Sequence, residues 1–215
     1  DREYPPLKLK SVKGKVSDAE WEARVDCACA YRLVAHFGMD DLIYNHISAR
    51  IPGPDEHFLI NQLGMLFSQV TASSLVKVDL AGNVIWPRGA LINPAGYVIH
   101  SAVHGARPDA KCVIHTHTVA GMAVSCLAEG LLPLTLEGTD FHDRIGYHEF
   151  EGVATDLEER ERLHDIIIDT GRWLIALVVV LGIAVGGEQA TRPSLRVVEI
   201  AASDAPILDG ELSDP

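Results

Sequence analysis

Short β-branched runs alternate with helix-type segments along most of the chain, and that alternation restricts the possible folds more than any other feature. Asn45 to Arg50, Phe58 to Ile60, Val76 to Leu80, Val84 to Trp86, Cys112 to Thr116 and Pro133 to Leu136 read as strands, being short, apolar and bounded by turn residues. Ala81-Gly82-Asn83 joins two of them into a hairpin. Between these runs lie helix signals. Ser17-Asp18-Ala19-Glu20 reads as a capping box opening a helix that runs to about Phe37 and stops at Gly38. Asn93-Pro94-Ala95-Gly96 opens a second helix that ends near Arg107-Pro108. Ala120 to Leu127 and Asp156 to Thr170 read as two more, and Asp140 to Glu151 as irregular. Leu174 to Val185 is the most apolar stretch. It is too short to span a bilayer as a helix, and its Val178-Val179-Val180 core suits one or two buried strands. Strands and helices interleaved without a repeat place the chain in the α/β or α+β class, with a central sheet covered by helices.

The 215 residues suffice for one sizeable core. The expected layout is an extended arm over 1–16, one domain over 17–200 and a tail over 201–215. With 30 acidic against 18 basic residues the formal net charge is −12. Such a surface repels phosphate backbones and anionic lipid, so neither nucleic acid nor membrane is an expected partner. The run Lys8, Lys10, Lys13, Lys15 reads as part of a solvated arm. Cys27, Cys29, Cys112 and Cys126 form no C-x-x-C pair. Cys112 and Cys126 read as small core residues, and the pattern suits a reducing, cytoplasmic compartment. The polar stretch Asp1 to Lys15 lacks the apolar core of a signal peptide.

The chemistry concentrates at His115 and His117. Side chains two apart on a strand share a face. Two neutral imidazoles there could each reach one divalent ion at about 2.0–2.1 Å. A hydrogen-bonded polar pair at a strand end would show the same spacing. His100 and His104, four apart, share a helix face. With His142 and His148 they are further candidates for ligation or for ordinary hydrogen bonding. Tyr147, among charged residues of a polar loop, could move a proton or be a plain loop aromatic. Glycine-rich phosphate loops and Ser or Cys nucleophile motifs are missing.

Several segments together resemble the class II aldolase and adducin head family. They are Asn93-Pro94-Ala95-Gly96-Tyr97-Val98-Ile99-His100, Ala106 to Ala110, Val113-Ile114-His115-Thr116-His117-Thr118, Asn45-His46-Ile47-Ser48-Ala49-Arg50, Thr71-Ala72-Ser73 with Val78-Asp79 and Gly82-Asn83-Val84, and Ile145-Gly146-Tyr147-His148. The likeness extends over roughly Ser17 to Glu188. It implies a three-layer α/β/α sandwich around a largely antiparallel central sheet, and a homo-oligomer, often a tetramer, with sites between subunits. It implies a divalent metal, zinc first, with manganese, iron or cobalt as alternatives. In the family's enzymes that ion polarises a keto substrate's carbonyl and stabilises the enediolate of C–C cleavage. By the same resemblance His115 and His117 match two metal ligands. Tyr147 matches a proton donor supplied by a neighbouring subunit, and Asn45, His46 and Gly64 match substrate-binding positions.

The chain also departs from the family pattern. Gly96 stands where the aldolases carry a glutamate base. Leu63-Gly64 and Pro94-Ala95 replace phosphate-gripping serines. A third metal histidine, expected in an Asn-His-Gly run, is missing from Val178 to Ile183. Two functions therefore follow from the sequence: a metal-dependent lyase acting on a small hydroxy-carbonyl compound, or a non-catalytic adducin-like module for assembly or binding.

Overall fold

The computed structural model describes residues 9–141, 144–149, 152–170, 174–176 and 194–195. Helix α1 (Asp18–His36) starts where the cap was expected: the Ser17 side chain accepts from the Glu20 N–H at 3.2 Å. Glu20 does not complete the capping box. Its carboxylate turns inward to Arg24 and Lys77, each at 2.9 Å. Gly38 follows the helix with φ 63°, a conformation that glycine adopts without the penalty of a Cβ.

Strands β1 (His46–Arg50), β2 (His57–Ile60), β3 (Val76–Asp79), β4 (Val84–Trp86) and β5 (Cys112–His115) form one antiparallel sheet in the order β4-β3-β2-β1-β5. Side-chain alternation sorts its two faces. Ile47, Ala49 and Leu59 pack with Cys27, Tyr31 and Val34 of α1 and with Phe67, in a 3-10 turn over Phe67–Gln69. On the other face, Phe58, Ile60, Val76 and Val78 form one cluster. Beside it Val113 packs with α2 (Pro94–Ala106) and with Leu163 and Ile167 of α5 (Leu157–Thr170). Helix, antiparallel sheet and helix are the three layers expected.

Tyr31 ties the first two layers together. Its buried hydroxyl accepts the N–H of Ile47 at 2.8 Å and of Asn61 at 3.1 Å, so one side chain satisfies amides on β1 and just beyond β2. Tyr31→Phe should leave both without that acceptor. At about 1–3 kcal/mol for each buried group stranded, urea unfolding should show a loss of at least about 2 kcal/mol. A loss below about 0.5 kcal/mol would mean that the amides find other acceptors.

Several expectations need correction. Pro133 to Leu136 is no strand: the Thr135 side chain accepts from the Gly138 N–H at 3.0 Å and caps a short helix, α4 (Leu136–Asp140). Threonine's β-propensity lost there to its capping ability. The stretch from Asp140 to Glu151 is not wholly irregular, since it contains β6 (Ile145–Glu149). That strand pairs in parallel with β7 (Leu174–Ala176) and antiparallel with β8 (Ser194–Leu195). Cys126 is exposed rather than a core residue, because it follows α3 (Val119–Ser125), a helix exposed over residues 119–123. The end of the N-terminal arm is anchored: Val12 is buried and its N–H reaches Ser73 Oγ at 3.2 Å. The remainder of the apolar stretch after Ala176, residues 1–8, His142 and the tail over 201–215 lie outside the described residues. No described helix is long and apolar enough to cross a membrane.

Candidate metal centre

Strand β5 ends at His115, one residue earlier than its sequence suggests. His117 therefore does not sit on the strand, and simple alternation does not aim it. Instead the Thr118 side chain accepts from the Gly121 N–H at 3.1 Å and caps α3, turning the chain directly after His117. The two rings still meet, edge to face, with Nε2 atoms 2.9 Å apart. On its far side His117 Nδ1 contacts Asp41 Oδ2 at 3.1 Å.

That spacing suits a hydrogen bond between neutral rings, and it is close to the spacing of two ligands of one ion. Nitrogens about 2.05 Å from a common ion lie roughly 2.9 Å from each other at about 90° and about 3.3 Å at the tetrahedral angle of zinc, so zinc asks the rings to part by about 0.4 Å. The chemistry of the donors fits as well. Burial, with His46 and His117 nearby, holds the His115 imidazole well below its ordinary range, which keeps it in the neutral form that a metal requires. Among the described residues no group of three or more His, Cys, Asp or Glu side chains converges on one point. The segment expected to hold a third histidine, residues 178–183, is outside them.

A second set of histidines lies behind the pair. His46 is the register partner of His115, and their rings stack at 4.6 Å with 14° between planes. His46 Nδ1 lies 2.9 Å from His100 Nε2. His100 Nδ1 lies 2.5 Å from Ser48 Oγ, which is 2.8 Å from His104 Nε2. Two periodicities build this chain: i,i+2 on β1 aims His46 and Ser48 at α2, and i,i+4 on α2 aims His100 and His104 back. All three rings are buried. Burial, reinforced by neighbouring positive centres, pushes their pKa values down, that of His104 to about 3.

Gly96 explains why His46 sits where it does. A Cβ at position 96 would lie 2.9 Å from Cδ2 and 3.0 Å from Cγ of the His46 ring. The position expected to lack a glutamate is thus pressed against an imidazole.

The remaining expected residues divide. Asn45 is fully buried and its Oδ1 accepts from the Asp41 N–H, so it braces the loop that carries Asp41. Gly64 lies in the turn after β2 with φ 83°, facing open space. Tyr147 is on β6 in the second sheet, exposed, and its hydroxyl accepts from the Leu131 N–H at 3.2 Å. Gly130 leaves it that room, since a Cβ there would fall 2.5 Å from the hydroxyl. Asn45, His46, His115 and His117 are linked through shared contacts, and those contacts do not include Gly64. Two members of the cluster, Asp41 and Ser48, carry no signal of their own in the sequence. Ser48 could have been found as the i,i+2 partner of His46.

Comparison with known proteins places this geometry. The family described as Class II Aldolase and Adducin N-terminal domain matches residues 25–200. A Caulobacter vibrioides protein titled "Putative aldolase class 2 protein" is 59% identical over 166 residues, covering 77% of this chain and 63% of that protein. Mouse alpha-adducin is 49% identical over 140 residues, 64% of this chain but 19% of its own length. The chain thus spans less than two thirds of the length of these relatives. Among solved structures, an aldolase II superfamily protein from Pseudomonas syringae superposes with a TM-score of 0.74 at 48% identity, covering 87% of this chain and 71% of that one. An L-fuculose 1-phosphate aldolase from Glaciozyma antarctica gives a TM-score of 0.62 at 25% identity, covering 90% and 68%. By sequence, layer order and sheet topology, the chain belongs to the class II aldolase and adducin N-terminal domain family.

Proposed function

We propose that this protein is a metal-dependent lyase that makes or breaks a C–C bond next to the carbonyl of a small hydroxy-carbonyl compound. The observation that carries the reading is the convergence of His115 Nε2 and His117 Nε2 at 2.9 Å, with His117 backed by Asp41. A divalent ion held there, zinc before manganese, iron or cobalt, would act as a Lewis acid on the substrate carbonyl. The chain's own residues supply the rest. His115 and His117 present their Nε2 atoms to the ion. Asn45 holds the Asp41 loop, His46 and Gly64 border the substrate, and Tyr147 donates or takes the proton. Tyr147 lies on the second sheet, so the reading pairs it with the histidines of a neighbouring copy in a homo-oligomer, a tetramer by family resemblance. The reading keeps a cytoplasmic location, on the cysteine pattern, and expects neither nucleic acid nor membrane as partner, on the net charge of −12.

The test begins with metal analysis of the purified protein. About one ion per chain is expected, falling below about 0.1 in His115→Ala/His117→Ala with the fold intact. Cleavage of small hydroxy-keto acids and sugars should then depend on the metal and drop at least 100-fold in Tyr147→Phe, the scale of one general acid–base group. A metal-free protein, or activity indifferent to both changes, would sink the reading.

One observation favours a second reading, an assembly or binding module without catalysis. His46 fills the space that a base at position 96 would need, and the mouse adducin match shows that this sequence type also occurs in an adducin. That reading predicts unchanged oligomerisation and no metal loss in the double alanine variant.

A further inference from the structure

The loop between α1 and β1 is built around one carboxylate. Asp41 opens a tight turn whose Tyr44 N–H returns to the Asp41 carbonyl at 3.0 Å. Leu42, next in the turn, has φ 49°, a left-handed conformation that a side-chain-bearing residue adopts only when its surroundings hold it there. Asn45, wholly buried, accepts from the Asp41 N–H. The loop's backbone is thus held on both sides of Asp41, and the carboxylate it presents meets His117 Nδ1 at 3.1 Å. His115 is placed differently: its buried Nδ1 has no hydrogen-bond partner among the described residues, and its ring is stacked on His46.

We propose that Asp41 is a positioning residue for the metal centre, an inference that rests on the metal reading above. A carboxylate accepting the Nδ1–H of His117 fixes the ring's orientation and its tautomer, leaving the Nε2 lone pair aimed at the point that His115 Nε2 also faces. His115 is held by its stacking on His46, whereas the aim of His117 is set by this contact. Carboxylates behind metal-bound histidines raise affinity by 10–100-fold.

Two measurements test it. Zinc affinity, by competition with a chromophoric chelator, should fall 10–100-fold in Asp41→Ala. It should fall less in Asp41→Asn, which keeps an acceptor oxygen and loses the charge. Side-chain 15N spectra of the metal-free protein should show His117 protonated at Nδ1 in the wild type and as a mixture of tautomers in Asp41→Ala. Circular dichroism and thermal midpoint confirm that each variant is folded. An Asp41→Ala protein that binds zinc within two-fold of wild type, or whose His117 spectrum is unchanged, overturns the proposal. A wild type that binds no zinc overturns the metal reading instead, and the tautomer spectra still decide what Asp41 does to His117.

Discussion

Arg24→Met should lower the unfolding free energy by about 3–5 kcal/mol, the usual cost of breaking a buried ion pair from one side. In a domain of this size that corresponds to roughly 6–20 °C in thermal midpoint. Arg24 is fully buried in the middle of α1. It donates to the carbonyls of Ala72 at 3.2 Å and Leu75 at 2.9 Å and pairs with Glu20, so it fastens the helix to the segment entering β3. Methionine fills much of the volume, which isolates the polar loss from a cavity effect. The variant should also change the response to acid. Burial pushes the Glu20 carboxyl up, but hydrogen bonds from Lys77 and Arg24 outweigh it and hold the pKa below its ordinary 4.5. A carboxyl lowered on folding adds stability above its unfolded-state pKa and loses it as pH falls through the folded value. Stability measured from pH 6 downward should therefore fall less steeply below pH 4.5 in Arg24→Met. Equal slopes would show that Lys77 alone sets Glu20.

Gly96→Glu should cost about 3 kcal/mol, against the trend for glycine in helices. Removing a helical glycine ordinarily gains about 1 kcal/mol. Here the new Cβ would sit 2.9 Å from a ring that cannot swing away cheaply, because His46 is stacked on His115 and bonded to His100. Overpacking of that kind costs about 1–3 kcal/mol, and occasionally more, and the carboxylate adds to it. Combining it with His46→Ala should restore part of the loss, with a coupling above about 1 kcal/mol by a double-mutant cycle. Strict additivity would mean that the two side chains do not compete for the same space.

The comparison of sequence with structure turns on which signals are local. Ser17 is legible as a cap, and Asn93-Pro94-Ala95-Gly96 as a helix start, because each is decided within about three residues, and the hairpin through Ala81-Gly82-Asn83 for the same reason. The helical spacing of His100 and His104 announced a shared face, and both reach Ser48. Thr135 was misread because a threonine between leucines serves a strand or a cap equally well until its neighbours in space are known. The meeting of His117 with His115 has another origin than the expected one: strand alternation predicts it, whereas the turn set by Thr118 and the contact with Asp41 deliver it. Asp41 is 76 residues from His117 in the chain, and no spacing rule connects them. The close approach of His46 to Gly96 has the same character, since it depends on how α2 lies across β1.

The row His46, His100, Ser48, His104 has a property that belongs to none of its members singly. Each ring is kept neutral by burial, so each carries one N–H and one bare nitrogen, and the serine gives one proton and can receive others. Valence then allows two continuous proton orders along the row. In one, every donor points from His46 toward His104, and His46 Nε2 is bare. In the other, all point back, and His46 Nε2 bears hydrogen beside Gly96. The face that His46 shows to that glycine is therefore decided in common with His104, at the opposite end of the row.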